Sequence, residues 1–240
     1  MRAKPILHTG MMMAAACTIL MAKDFWEKPY QQWKKNEAFK MKDNSPWAKS
    51  QTFTSQTAGR GSSQDRAGRE TSDREQFNIV TVRFISALPV RHAYVRIAQL
   101  MNNYDAKTDA EKAEIDAKLS GPLKFDFSKT IWVGIEFQSN EPRTRMDVAR
   151  FLEQVKADHL KQSCYLISDR LGRVSVQEYY PPGPDGFGAK FIFPRSVGDK
   201  PVVSPEDKEI TFDMGMDPIG QRVFIRFKVK ELMYGGELAY

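Results

Sequence analysis

The chain of 240 residues is 41% apolar and 28% charged, a globular balance with room for one generous domain or two small ones, which excludes a largely disordered protein. Its formal net charge of +6 is unevenly spread: residues 1–75 hold 13 Lys/Arg against 8 Asp/Glu, which leaves 23 against 22 over residues 76–240. The excess therefore sits on the N-terminal arm, and a nearly neutral body argues against a basic groove for nucleic acid.

Arg2 and Lys4 precede an apolar run from Met11 to Ala22 and then the polar KDFWEKP, which is the outline of a secretory signal over residues 1–22 and too short for a membrane span. Ala14-Ala15-Ala16 offers small residues for cleavage, and Ala16-Cys17 has the form of a lipoprotein processing site, with Cys17 as the lipidated residue. An uncleaved apolar N-terminus is the alternative. Cys164 is the other of only two cysteines, so removal of the first leaves no intramolecular disulfide and no cysteine metal site. In the apolar run CYLIS, Cys164 reads as a small buried hydrophobe.

Residues 23–50 form a Trp-rich segment. Three of the four Trp residues, Trp26, Trp33 and Trp47, fall within FWEKPYQQW and SPWAKS, and Lys28, Lys34, Lys35, Lys40, Lys42 and Lys49 are interleaved with them. WKKNEAFKM predicts a short helix that Ser45-Pro46 terminates, because the residue before Pro avoids helical geometry. Large rings bring large buried area, so the segment is expected to dock onto the body. As an exposed anchor, the same three Trp would contact another envelope protein, a glycan or a membrane surface.

Residues 51–76 are almost free of apolar side chains and predict a flexible linker. A single domain is then expected over residues 77–240. FNIVTVRFISA predicts a buried strand, and from Leu88-Pro89 the residues Val90, Ala93, Tyr94, Ile97, Leu100, Met101 and Tyr104 recur at helical spacing, with Arg91, Arg96 and Gln99 on the other side. Thr108 and Glu111 form a capping box for a surface helix that Gly121-Pro122 close. Residues 130–139 predict a strand containing Trp132, and residues 145–155 a short helix. CYLISD, the turn RLGR with Gly172, and VSVQEYY predict a hairpin. PPGPDGFG reads as a rigid loop between strands, of a kind that can carry a binding site, before AKFIFP, ITFDM and the alternating strand RVFIRFKVKEL. About seven strands, three or four helices and tight strand-to-strand turns predict an α+β fold with a mainly antiparallel, sandwich-like sheet and helices packed on it.

No local catalytic pattern emerges. G-x-S-x-G is absent, and His8, His92 and His159 are scattered, with His92 read as a solvated side chain. GRGSS at 59–63 lacks the ending of a phosphate loop, and Asp213 and Asp217 lack the alternation of a calcium loop, so no catalytic, cofactor or metal residues are assigned and no cofactor is expected.

FWEKPYQQW, a short charged helix and SPWAK together resemble the N-terminal signature of a group of uncharacterised exported bacterial proteins, and the likeness extends to VRFISALPVRHAYVR and the closing strand before MYGGEL. Lys34 and Lys42 depart from that signature. The resemblance implies an envelope location and a recurring architecture, but no activity. The expectation is an exported, non-enzymatic binding or structural component of the cell envelope. The alternatives are a secreted hydrolase with a dispersed site, and a cytosolic protein whose arm QDRAGRETSDRE touches nucleic acid.

Overall fold

A computed structural model describes residues 24–56 and 75–240. The signal-like segment with Cys17, the GRGSS stretch and most of QDRAGRETSDRE lie outside the described residues. After two single turns at Phe25–Glu27 and Tyr30–Gln32 come helix α1 (Lys35–Asp43), strand β1 (Ala48–Gln56), β2 (Glu75–Phe84) and α2 (Leu88–Met101). A turn at Tyr104–Ala106 leads to α3 (Asp109–Leu119), α4 (Gly121–Lys124), β3 (Thr130–Ser139), α5 (Pro142–Gln154) and α6 (Ala157–Leu160). Strands β4 (Cys164–Ser168), β5 (Gly172–Ser175), β6 (Glu178–Tyr180) and β7 (Ala189–Pro194) follow, then the two-residue pair β8 (Ser196–Val197) and β9 (Lys200–Pro201). The chain continues through β10 (Glu209–Met216), β11 (Gln221–Lys228) and the small hairpin β12 (Met233–Tyr234) and β13 (Glu237–Leu238).

The fold is α+β. One antiparallel sheet has the order β1-β2-β3-β7-β6, and a second has the order β11-β10-β4-β5. Their inner faces meet through rings: Phe84 of β2 lies 4.8 Å from Phe227 of β11, and Phe191 and Phe193 of β7 lie 6.0 and 6.3 Å from Phe212 of β10. Period-2 alternation explains the layer, since Val80, Val82 and Phe84, then Ile131, Val133 and Ile135, all point inward and are buried. The two sheets are joined at both margins. The chain passes directly from β5 to β6, with Val176 donating to the Cys164 carbonyl and Gln177 to that of Ile192. At the opposite margin Gln51 of β1 exchanges hydrogen bonds with β11, donating to the Arg222 carbonyl and accepting from the Phe224 amide.

That margin corrects the sequence reading. Residues 51–56 are strand, paired in register with β2 from Thr52↔Ile79 to Gln56↔Glu75, so the expected linker and domain boundaries of 51–76 and 77–240 do not hold at either end. A largely polar strand is possible here because backbone hydrogen bonds and Gln51 hold β1, with Ala48 and Phe53 as its apolar contacts. The Trp-rich segment is part of the same core. Trp33 and Trp47 are 0% exposed, which corrects their reading as partner contacts, while Trp26 is half-buried. Phe25 packs edge-on to both Trp26 and Trp33, and Trp26 edge-on to Trp47, at 5.0 to 5.8 Å. Trp47 donates to the Ala239 carbonyl at 2.8 Å and Trp33 to that of Lys28 at 3.1 Å. Lys34 cannot accept as a cap, but Glu37 takes the Lys34 amide and the Lys28 ammonium, so α1 keeps half of a capping box.

Helix α1 lies on the outer face of the five-stranded sheet over β1 and β2, with α2 packed against α1. The polar side expected for α2 is also buried: Arg96 is 4% and Gln99 0% exposed, whereas Met101, expected in the core, is 78% exposed. Arg96 donates to the Trp33 carbonyl at 2.8 Å and grips both oxygens of Asp105, and the Gln99 amide nitrogen donates to Asp116, so the buried donors are met while the Gln99 Oε1 is left without a partner among the described residues. Trp33→Ala and Trp47→Ala are each expected to cost about 3–5 kcal/mol in urea unfolding, as a ring is lost and a carbonyl orphaned. Half-buried Trp26→Ala is expected to cost about 1–2 kcal/mol in the same measurement.

Candidate functional site

The outer face of the five-stranded sheet is left open by the helices over β3, β7 and β6, and a cavity of about 340 Å³ lies there. Register fixes its floor: Trp132 opposes Ile192, and Tyr180 opposes Lys190, so these side chains share the face that carries Arg83 and Gly134 on β2 and β3. Trp132 and Tyr180 lie near parallel, 19° apart with centroids at 5.8 Å. Phe125 and Phe127, from the segment after α4, meet the Trp132 ring edge-on at 5.2 and 5.7 Å. The fifth ring, Phe187, comes from the PPGPDGFG loop.

That loop is held from several directions. Phe187 lies 4.0 Å from Tyr94 of α2, and the Tyr94 hydroxyl donates to the Gly186 carbonyl at 3.1 Å. Gly188 has φ +75°, and a Cβ there would meet the Ile135 carbonyl oxygen at 2.2 Å, so both its conformation and its closeness to β3 require glycine. Asp185 accepts from the Phe187 amide and pairs with Lys190 at 2.8 Å.

Arg91 of α2 borders the cavity with its guanidinium 4.8 Å from the centre of the Phe127 ring. Its Nη1 donates to the carbonyls of Pro122 and Leu123 at 3.1 and 3.3 Å, and its buried Nε has no hydrogen-bond partner among the described residues. Burial, then the neighbouring Arg195, pushes the Arg91 pKa down, the mark of a charge lacking full compensation. The lining is otherwise apolar, and Phe125 and Tyr180 remain 50% and 44% exposed. Aromatic walls with a few fixed charges at this size suit a small organic ligand.

Beside the cavity, on the same face of the sheet, lies the network that positions it. Arg83, fully buried, donates to the Lys42 carbonyl at 3.0 Å, to Tyr94 at 3.1 Å, and to Asp43 and Glu136 at 2.9 Å each. Burial raises the Glu136 pKa, but Arg83 and Lys42 outweigh it and hold the carboxyl below its ordinary value. Burial, only partly opposed by Arg83, pushes Tyr94 up to about 12, so it remains a neutral donor to the loop.

The residues singled out by sequence fall elsewhere. Trp33, Tyr30 and Tyr234 surround His92, with Trp47 edge-on to Tyr234 and Trp26 edge-on to Trp47, which corrects the solvated reading of His92: its ring stacks on Tyr30 at 4.3 Å and its Nδ1 lies 3.0 Å from the Tyr234 hydroxyl. Cys164 is buried, with its thiol raised well above the ordinary value by burial and then Asp213. Sequence reasoning reached Trp132 and the PPGPDGFG loop but not Phe125, Phe127 or Tyr180, for which FDF ahead of the strand and EYY were the available signals. Among the described residues no cluster of His, Cys, Asp and Glu is arranged to hold a metal, and no helix is long and apolar enough to cross a membrane. No protein-family model, curated protein or solved structure matches the chain.

Burial, then Arg91, lowers the His92 pKa to about 4. An unfolded histidine protonates near 6.5, so stability is complete above that pH and is lost as pH falls towards 4 while the unfolded chain alone takes up the proton. Discounted for the ring area that solvent reaches, the loss is about 1–3 kcal/mol. Urea midpoints measured from pH 7 to pH 4 for the native chain and His92→Phe should therefore converge as pH falls. A constant difference would show that His92 does not titrate in this window.

Proposed function

We propose that this is an exported, non-enzymatic binding protein of the bacterial cell envelope, which takes a small ligand into the aromatic cavity. The observation that carries the reading is the convergence of five rings, Phe125, Phe127, Trp132, Tyr180 and Phe187, on a cavity whose charged neighbours are largely engaged already. Asp185 is spent on Lys190 and a backbone amide, and Arg91 on two carbonyls and a ring face, so these groups orient a ligand rather than transfer protons. The apolar run Met11–Ala22 behind Arg2 and Lys4, and the resemblance of FWEKPYQQW…SPWAK to exported proteins, support the location. The half-buried Trp26, together with Lys28 and Met233 beside a shallow cleft, is the part of the aromatic segment still open to an envelope partner or a membrane surface.

Titration with the neutral fluorophore N-phenyl-1-naphthylamine tests the cavity. Saturable binding at one site is expected, weakened at least about tenfold in the Phe125→Ala/Tyr180→Ala variant, whose half-exposed rings can be lost without unfolding the core. Equal binding by both proteins would remove the cavity from the reading. Intact mass from fractionated cells tests the location: a chain beginning near Lys23 in the envelope fraction, or one with a lipid on Cys17, supports it, and an unmodified full-length chain in the cytosol overturns it.

A further inference from the structure

Resting on the cavity reading above, we infer that the ligand is a small organic acid: an aromatic or compact apolar body seated among the rings, with one carboxylate directed to Arg91. Charge complementarity decides among the ligands an aromatic cage can hold. Such cages also accept organic cations, whose charge rests on ring faces. Here, however, Arg91 and Lys190 outnumber the single carboxylate, Asp185, and Asp185 is already paired with Lys190 at 2.8 Å. Arg195, which borders a second depression together with Arg91, Asp126 and Glu237, gives its guanidinium to the Tyr240 carbonyl and adds no free charge to the cavity. A cationic ligand would meet this excess, and an anionic one would relieve it.

Arg91 is the group prepared for the acid. Two of its hydrogen bonds fix the guanidinium on the Pro122 and Leu123 carbonyls, and Phe127 supports one face of it. Its Nε–H is buried and unmatched. A carboxylate seated in the cavity sets its charge against this guanidinium, whose other partners are two neutral carbonyls and a ring face. The body of the ligand follows from the walls: Trp132, Tyr180 and Phe125 present ring faces and edges, and Ile85 and Pro122 complete an apolar lining of single-ring to double-ring size.

The test uses three naphthalenes of one shape on the full-length protein, measured by calorimetry: 2-naphthoate, the neutral 2-naphthalenemethanol and the cationic 2-naphthylmethylammonium. The acid is expected to bind at least about tenfold tighter than the alcohol, with the ammonium weakest. Arg91→Gln should abolish the preference while leaving the alcohol's affinity within about twofold, and Arg91→Lys should restore part of it. Should Arg91→Gln fail to fold, Asp185→Asn supplies the second arm. It removes the carboxylate, keeps an oxygen for the Phe187 amide, and should tighten the acid several-fold while weakening the ammonium. Equal affinities for acid and alcohol, or an acid preference that survives Arg91→Gln, would overturn the inference and leave the cavity as a site. Failure of all three probes to bind would instead remove the cavity reading itself.

Discussion

A single buried guanidinium holds the outer layer of this molecule together. Arg83 projects from the C-terminal end of β2 into a space where no water reaches its side chain. An isolated charge there would cost several kcal/mol, so its donors must be met by protein groups. They are met by three different elements, the last turn of α1 through the Lys42 carbonyl and Asp43, β3 through Glu136, and α2 through Tyr94, whose hydroxyl in turn donates to Gly186 of the 181–188 loop. Loss of any one leaves a charge or a donor unmatched. These elements are therefore expected to assemble together rather than one by one.

The cross-strand neighbour of Arg83 shows how tightly that layer is drawn. Gly134 stands opposite it on β3, and a Cβ at Gly134 would come within 2.7 Å of Ile85 and 2.8 Å of the Phe187 carbonyl. The absent side chain lets the loop lie directly on the sheet. Arg96 repeats the principle one layer out, where its Nε reaches the Trp33 carbonyl and its other two nitrogens grip Asp105. Two arginines thus fasten the N-terminal aromatic segment by its backbone, and Trp33 and Trp47 fasten it by their rings. A segment that looks like an appendage is in fact a wall of the core.

What the sequence disclosed and what it hid follow from one distinction. The capping box of Thr108 and Glu111, the strand over 130–139, the hairpin at Gly172 with φ +67° and the alternation of β11 rest on neighbours in the chain, and each was legible. Arg83, Arg96 and Gln99 were misplaced or passed over because a polar side chain can be buried when its partners lie elsewhere in the chain, and helical periodicity cannot see those partners. The strand over 48–56 was hidden for a related reason, since its pairing is by backbone and its side chains are largely polar. Of the cavity, Trp132 and the 181–188 loop drew notice separately. Their convergence with Phe125, Phe127 and Tyr180 depends on sheet register and on the path of the chain after α4.

The cavity persists because its walls are not free to close. Rings on an open sheet face tend to collapse onto one another and bury the area that water would otherwise cover. Here the walls are held by contacts of their own. Trp132 donates to Thr130, the Tyr180 hydroxyl to Glu178, and Phe187 is held by the Tyr94 stack and the Gly188 backbone. Arg91 fixes the segment that carries Phe125 and Phe127 by gripping two of its upstream carbonyls. A ligand entering this space would displace water without first reorganising the protein, which keeps the cost of binding low. The same rigidity sets a limit on shape: a body too long for the cavity would have to leave through the half-exposed edge between Phe125 and Tyr180, and so surrender the apolar contact that brought it in.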